Sequence, residues 1–340
     1  MFVSPPLAAV DLRRRLLTER PQPLAAIAQH VSGFAGAVTA VLDDYDYAGI
    51  RAAAGGQDVC LAFVSSRSGE GTNSVAGNLG DRNNLTAWHD GDTLVRTVAG
   101  SCRNTVVVIH SVGAILMEAW IAHANVTAVV LAHLPGQESG GALVDVLWGA
   151  VNPSGKLPYT VARREADYCC RVQYAWTGVF PVQDFTESLL VDYRWFDARA
   201  IEPRFEFGFG LSYTTFTYAA GLAVAPQTRP LAQTPFAATV IAVTATLTNS
   251  GGVPGKEVVQ LYLSLPAAAP AGTPLRQLRG FEKVLLRPGE SREVTFALTK
   301  RDLSYWDEPA AQWRALPGSY GISVGASSRI LPATASVVIL

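Results

Sequence analysis

The chain has 340 residues with a formal net charge of −1 at pH 7, and 49% of its residues are hydrophobic while 16% are charged. A chain of this length and composition can bury the cores of two globular domains. The near-neutral charge gives no electrostatic reason to bind nucleic acids or anionic membranes, which usually need clustered Lys and Arg, so we expect neither partner.

The first 162 residues alternate short apolar runs with helical stretches, which is typical of a mostly parallel sheet covered by helices on both faces. Helix signals predict a first helix after Ser4 and Pro5, a second at Ala114–His123 and a third at Gln137–Trp148. The predicted strands are residues 37–42, 59–64, 105–109, 128–131 and 157–161. This part of the chain is therefore predicted to be an α/β domain.

The four cysteines are Cys60, Cys102, Cys169 and Cys170. They lack the spacing of zinc ligands, so we predict no metal site. Cys60 and Cys102 lie in or beside predicted core strands, which favours two buried, unpaired side chains over a disulfide. The adjacent Cys169 and Cys170 cannot readily form a disulfide with each other without strain.

Glu70 lies in a tight turn, Ser68-Gly69-Glu70-Gly71, just after the predicted buried strand at residues 59–64. Open α/β sheets carry functional groups on loops that follow the carboxyl ends of their strands. The turn alone is a weak signal, because a glutamate that is only solvated would look the same. Its glycines do not extend into a dinucleotide or P-loop motif, so no nucleotide cofactor is predicted.

Other catalytic motifs are missing from the sequence. It contains no G-x-S-x-G motif for a serine nucleophile, and its five histidines include no i, i+4 pair that could bind a metal. His110 ends a predicted strand and is interpreted as a packed polar residue. The sequence therefore predicts neither a serine hydrolase of this type nor a metallohydrolase.

Residues 163–217 are rich in loops and aromatic side chains. Such rings usually pack at a domain junction, and a surface that stacks on sugars is the alternative. The Pro-rich segment 219–235 is predicted to be a linker. Strand-like runs separated by Gly-containing turns follow it and predict an antiparallel β-sandwich. These runs are Thr239–Asn249, Glu257–Ser264, Gly280–Leu286, Arg292–Leu298 and Tyr320–Val324.

Several long segments occur in the order found in fungal β-glucosidases. They are Ser68–Gly71, Gly80–Leu85, Asn104–Ser111, Leu134–Gly140, Asn152–Pro158, Asp192–Asp197 and Glu206–Tyr213, followed by Leu278–Lys283, Leu286–Ser291 and Asp302–Asp307. The chain thus resembles the C-terminal portion of glycoside hydrolase family 3. That resemblance implies a mostly parallel α/β sandwich domain followed by an all-β fibronectin type III-like sandwich.

The resemblance also implies a retaining hydrolase of terminal β-D-glucosyl residues. In this family a nucleophilic aspartate lies on an N-terminal (β/α)8 barrel, and the acid/base glutamate comes from the α/β domain. Glu70 matches that glutamate, and Ser68, Gly69, Gly71 and Thr72 form the loop beside the substrate. Fungal members usually carry tyrosine at the position of Thr72. The implied partners are β-glucosides or cello-oligosaccharides, bound once a barrel is present, and no cofactor is implied.

From the resemblance we expect the chain to start downstream of the first strand of an α/β domain that is incomplete at its N-terminus. The nucleophile is then expected to be absent, so the isolated chain should be largely inactive. The expected domains are residues 1–218, which include the aromatic loops at 163–217, then a linker at 219–235 and a fibronectin type III-like domain at 236–340. The alternative is a non-catalytic carbohydrate- or protein-binding module.

The family is extracellular, and two N-glycosylation sequons begin at Asn84 and Asn125. However, Asp11 and the run Arg13–Arg15 interrupt any apolar core of a signal peptide, so no such peptide is expected. The longest apolar runs are shorter than the roughly 18 to 20 residues that cross a bilayer.

Overall fold

The computed structural model describes residues 23–34, 36–67, 82–170, 180 and 182–340, together with the backbone of two short strands at 74–75 and 78–79. Contacts divide these residues into two compact units. Residues 23–151 and 162–165 form the α/β unit, and residues 152–161, 166–170, 180 and 182–340 form the β-sandwich unit. The domain boundaries at residues 218 and 236 remain predictions.

The strands of the α/β unit are β1 (Cys60–Ser66), β2 (Ser74–Val75), β3 (Asn78–Leu79), β4 (Thr105–Ser111) and β5 (Val126–Leu131). Three of them form a parallel sheet in the order β1-β4-β5, and β2 pairs with β3. The helices of this unit are α1 (Pro23–Ser32), α2 (Tyr47–Ala54), α3 (Gly91–Ser101) and α4 (Ser139–Leu147). The predicted parallel sheet and the helix near residues 137–148 are thus confirmed.

The sheet is apolar on both faces because helices cover both of them. On one face, Leu61 and Phe63 pack with Ile27 of α1 and with Leu143 and Val144 of α4. Helix α3 packs against β1 and buries Leu94, Val95 and Val98. Strand β1 is therefore buried along nearly its whole length.

Three predicted elements of this region are wrong. Residues 37–42 form no regular strand and are mostly exposed, and residues 157–161 make only a single bridge, between Val161 and Phe205. Residues 114–123 form turns instead of a helix. Their apolar residues Ile115, Met117 and Trp120 are all buried. The apolar character of these residues thus indicated a core correctly, but their spacing did not indicate a helix.

Cys60 and Cys102 form a disulfide, which corrects the prediction that they are unpaired. Both are buried, as predicted. Cys60 opens β1 and Cys102 directly follows α3, and packing of α3 against β1 brings their Cα atoms to 6.3 Å, within the range that a disulfide spans. Cys169 and Cys170 remain free.

The β-sandwich unit consists of two antiparallel sheets and a hairpin. Its elements are α5 (Tyr193–Ala198), β6 (Phe216–Tyr218), β7 (Ala223–Pro226), β8 (Thr239–Asn249), β9 (Gly255–Ser264), β10 (Gln277–Leu286), β11 (Ser291–Thr299), β12 (Ser304–Asp307), β13 (Gln312–Ala315), β14 (Gly318–Gly325) and β15 (Ala333–Ile339). One sheet has the order β10-β9-β14-β15, and the other has the order β11-β8-β6 with β7 also paired to β8. The predicted all-β sandwich is confirmed.

Strand β8 shows why these residues form a sandwich. Its inward residues Ile241, Val243, Ala245 and Leu247 alternate with more exposed ones, the period of a half-buried strand. The segment 219–235, predicted to be a linker, contributes strand β7 and the buried Leu231 to this core. Among the described residues, no helix is both long enough and apolar enough to span a bilayer.

Candidate active site

Strands β1 and β4 end at the same edge of the parallel sheet. Ser65 lies opposite His110 and Ser66 opposite Ser111, so both carboxyl ends meet there. The turn with Glu70 follows β1, and Ser68, Gly69, Glu70, Gly71 and Thr72 all lie outside the described residues. The described structure therefore fixes the strand end that precedes Glu70, and the role of Glu70 stays a prediction.

The segments around this edge are tied to the last residues of β1. The Trp88 amide donates to the Ser65 carbonyl at 2.9 Å, and the Val112 amide donates to the Ser66 carbonyl at 3.1 Å. The Arg82 guanidinium donates to a carbonyl of the segment after β4 at 3.0 Å. The first two bonds use backbone carbonyls of a buried strand, so they hold Trp88 and the start of the segment after β4 against the end of β1.

A cavity of about 180 Å³ lies in this loop, at the start of α3. Sites for small molecules usually enclose roughly 300 to 1,000 Å³, so this cavity alone is too small to enclose a disaccharide. It can admit water or one small polar group. Its lining residues are Asn84, Thr86, Ala87, Trp88, His89, Asp90 and Asp92.

Both carboxylates of the cavity already accept hydrogen bonds. The Tyr47 hydroxyl donates to Asp90 Oδ2 at 2.7 Å, and Trp120 Nε1 donates to Asp92 Oδ1 at 2.9 Å. Burial raises the pKa of Asp92 and outweighs the opposing bond from Trp120. Burial, followed by the bond to Asp90, raises the pKa of Tyr47 to about 12. These carboxylates therefore fix the entry to α3.

The backbone of this entry is strained. His89 and Asp90 have φ values of 57° and 51°, in the left-handed region that few residues other than glycine adopt. Such residues cost on the order of 1 to 3 kcal/mol each and often lie at functional sites. Trp88 Nε1 is buried and has no hydrogen-bond partner among the described residues. Sequence analysis did not identify this cluster, although polar residues between an aromatic residue and a helix start are a usable signal.

His110 is a packed residue of β4. Its ring lies parallel to that of Phe63, with centroids 6.3 Å apart and an interplanar angle of 7°. Burial lowers the pKa of His110, which favours the neutral imidazole. This environment fits the interpretation of His110 as a polar residue of the core.

The two carboxylates of residues 192–197, those of Asp192 and Asp197, make polar contacts within the β-sandwich unit. Asp192 accepts hydrogen bonds from the amide and the hydroxyl of Thr160, at 2.9 and 2.7 Å. Asp197 is buried and lies 3.2 Å from Arg276 and 3.4 Å from Arg329. Both groups therefore stabilise this unit.

The aromatic loops divide into two sets. Tyr193 and Phe196 are buried, whereas Phe180 and Phe185 are 80% and 74% exposed. Other rings of the loops, Tyr174 and Trp176, lie outside the described residues. Part of these rings thus packs in a core, and the sugar-stacking alternative stays a prediction for the exposed ones.

Residues 10–213 match the model of the Glycosyl hydrolase family 3 C-terminal domain, and residues 257–328 match that of the Fibronectin type III-like domain. The first match alone covers more than half of the chain. The chain belongs to glycosyl hydrolase family 3. The resemblance found in the sequence motifs is thereby confirmed.

Curated relatives in this family are fungal β-glucosidases. Probable beta-glucosidase L of Aspergillus fumigatus is 47% identical over 315 residues, which cover 90% of this chain and 42% of that protein. Beta-glucosidase cel3A of Pyricularia oryzae is 50% identical over 293 residues, which cover 83% of this chain and 39% of that protein. The chain thus spans about two fifths of the length of these relatives.

Solved structures give the same result. The crystal structure of Beta-D-glucoside glucohydrolase from Trichoderma reesei is 45% identical with a TM-score of 0.86, covering 94% of this chain and 45% of that chain. The Chaetomium thermophilum beta-glucosidase is 32% identical with a TM-score of 0.86, covering 93% of this chain and 48% of that chain. The α/β and β-sandwich architecture is therefore that of family 3 β-glucosidases.

Proposed function

We propose that this chain is the part of a retaining β-glucosidase that carries the general acid/base residue, Glu70. The observation that carries the proposal is the shared edge where β1 and β4 end, because Glu70 follows β1 by four residues. Membership of family 3 and the names of the curated relatives support the reaction type. The proposed substrates are β-glucosides and cello-oligosaccharides with a terminal β-D-glucosyl residue.

Retaining hydrolysis needs two carboxyl groups about 5 to 5.5 Å apart, one protonated and one ionised. Glu70 would protonate the leaving oxygen and later deprotonate the attacking water. For this it needs a raised pKa, which removal of water on assembly of the site would supply. Asp90 and Asp92 are poor nucleophiles, because Tyr47 and Trp120 already bind them. The family models that match this chain are those of the C-terminal and fibronectin type III-like domains, and the resemblance places the nucleophile on an N-terminal barrel, so we propose that it comes from outside these 340 residues.

The activity of the isolated chain tests whether the nucleophile lies outside it. General acid catalysis alone contributes roughly 10² to 10⁴-fold, whereas complete enzymes reach roughly 10⁶-fold or more. We expect the purified chain to release nitrophenol from an aryl β-glucoside no faster than buffer, within the detection limit. Turnover at an ordinary enzymatic rate would show that a second carboxylate lies within the chain.

A test of the role of Glu70 requires a fusion protein, in which this chain is joined to the complementary N-terminal portion of a relative such as cel3A. In this enzyme, Glu70→Gln should lower kcat/KM, which reports formation of the glycosyl-enzyme, by roughly 10² to 10⁴-fold for a poor leaving group and much less for dinitrophenol, which leaves without protonation. Azide should restore turnover and give a β-glucosyl azide. The exposed Glu282 of β10 provides a control, since Glu282→Gln should leave both substrates unaffected. Equal losses for both leaving groups would contradict the assignment.

A second candidate function is a non-catalytic carbohydrate-binding module. The exposed rings of Phe180 and Phe185 favour it, because sugars stack on accessible aromatic faces. Titration with cello-oligosaccharides should then shift the resonances of these residues, and Phe180→Ala with Phe185→Ala should remove the effect. No change at millimolar sugar would exclude this function.

We also propose that the protein is secreted, glycosylated and involved in cellulose breakdown. The Cys60–Cys102 disulfide supports an oxidising compartment. Of the two sequons, Asn84 is the better acceptor, because Asn84 Nδ2 donates to the exposed side chain of Asn83 at 3.1 Å, whereas Asn125 Nδ2 donates to the backbone carbonyl of Ala99 at 2.7 Å. Mass spectrometry after fungal expression should find a glycan at Asn84 that Asn84→Gln removes. An unmodified Asn84 would argue against glycosylation there.

A further inference from the structure

Two free thiols and a carboxylate meet on one side of the β-sandwich unit. Cys169 Sγ and Cys170 Sγ lie 2.8 Å apart. The carboxylate of Glu187 joins them, and the three ligand atoms lie within 4.8 Å of one another. Neither thiol belongs to a disulfide, and Cys170 is exposed.

We propose that Cys169, Cys170 and Glu187 bind one thiophilic divalent cation of the Zn²⁺ or Cd²⁺ kind, with the remaining position open to solvent. Zn²⁺ takes thiolate sulfur at about 2.3 Å and carboxylate oxygen at about 2.0 to 2.2 Å in a tetrahedral arrangement. Two sulfurs around such an ion lie about 3.8 Å apart, so the thiols need to separate by about 1 Å. The exposed Cys170 gives the ion a path of entry.

The donor set selects the cation. Thiolates favour Zn²⁺ and Cd²⁺ over Ca²⁺ and Mg²⁺, which prefer oxygen ligands. Oxidation of the pair competes poorly, because a disulfide between adjacent residues strains the short backbone link. The cysteine spacing predicted no metal site, since the third ligand comes from Glu187, which lies in a separate loop. The site is independent of the proposed hydrolysis.

Binding must displace protons. Coordination requires thiolates, so each thiol must lose its proton when the ion binds. As the ion binds, two S–H bonds break, two metal–sulfur bonds form and two protons enter solution, while the Glu187 carboxylate adds its oxygen. No oxidant is required.

The experiment titrates the native full-length chain with CdCl₂ and follows the sulfur-to-metal charge-transfer absorbance. A thiol reagent should first count two accessible thiols, because Cys60 and Cys102 are paired and buried. The absorbance should then saturate at one Cd²⁺ per chain, and Zn²⁺ should displace the Cd²⁺. Native chain with no free thiol would overturn the proposal, since the pair would then be oxidised.

Variants identify the ligands. Cys169→Ser and Cys170→Ser should each weaken binding by 100-fold or more, and Glu187→Gln by at least 10-fold, since even outer-shell partners contribute 10 to 100-fold. Glu308→Gln removes an exposed carboxylate of the same unit and should change nothing. If a cysteine variant does not fold, alkylation of the two thiols in the native chain gives the same test.

Three further results would overturn the proposal. They are a missing charge-transfer band, a band that survives removal or alkylation of both thiols, and equal effects of Glu187→Gln and Glu308→Gln.

Discussion

The two units place their loops differently, and this difference separates chemistry from scaffold. In the α/β unit, β1, β4 and β5 are parallel, so the carboxyl ends of these strands meet at one edge. In the β-sandwich unit neighbouring strands are antiparallel, and their carboxyl ends alternate between opposite ends of the sheet. A parallel sheet therefore concentrates functional groups, whereas the sandwich distributes its connections.

The units are also stabilised by different interactions. The α/β unit has a disulfide that joins the start of β1 to the residue directly after α3. The β-sandwich unit has a carboxylate, Asp197, between Arg276 and Arg329, and glycines where segments approach closely. Four substitutions test this contrast, from the largest expected effect to the smallest.

Cys60→Ala with Cys102→Ala should have the largest effect. The disulfide closes a loop with a sequence separation of 42, which corresponds to about 4 kcal/mol of unfolding free energy. Hydrogen exchange should report this loss in β1 and β4, while amides of β8 and β9 keep their protection. Equal losses in both units would contradict the contrast, and a loss below about 1 kcal/mol would show that packing alone holds α3 against β1.

Asp197→Asn should destabilise the β-sandwich unit by roughly 3 kcal/mol, because it leaves two partly buried guanidinium groups without their carboxylate. Denaturant unfolding followed by exchange in β9 and β14 measures the loss. Glu290→Gln breaks the exposed pair with Arg292 and serves as the control, with little change expected. Similar effects of both variants would show that burial does not matter here.

Gly210→Ala should destabilise the same unit by about 2 kcal/mol through overpacking. A Cβ atom at residue 210 would lie 2.2 Å from the Gly155 carbonyl oxygen, which is backbone and cannot rotate away. Gly221→Ala is the matched control, since nothing lies within 4 Å of its Cβ position. Thermal unfolding should separate the two variants, and an equally stable Gly210→Ala chain would refute the close approach.

Asp92→Asn should have the smallest effect and the opposite sign. Folded Asp92 holds its proton more tightly than the unfolded chain does, so ionisation lowers stability as the pH rises through the pKa of folded Asp92. The amide keeps an oxygen to accept the Trp120 hydrogen bond without this penalty. The unfolding midpoint should therefore exceed that of the parent chain at pH 7, and the difference should shrink towards pH 3. A lower midpoint at pH 7 would contradict the raised pKa.

Local pattern predicted some elements well and others poorly. The run 239–249 coincides with β8, because alternation over eleven residues is unambiguous. The predicted helix at residues 114–123 and the predicted strand at residues 37–42 were wrong, since short apolar runs fit a helix, a strand and a buried turn equally. In the candidate site, the motif pointed to Glu70, whereas the cavity residues Trp88–Asp92 carried no recognised motif.

The sequence by itself determined the α/β and all-β organisation, the family and the position of Glu70, because hydrophobic period and ordered motifs are local properties of the chain. Only the tertiary structure decided the Cys60–Cys102 pairing, the strained entry to α3 and the meeting of Glu187 with Cys169 and Cys170. These features depend on distances between residues far apart in sequence, and packing, which no local pattern encodes, sets those distances.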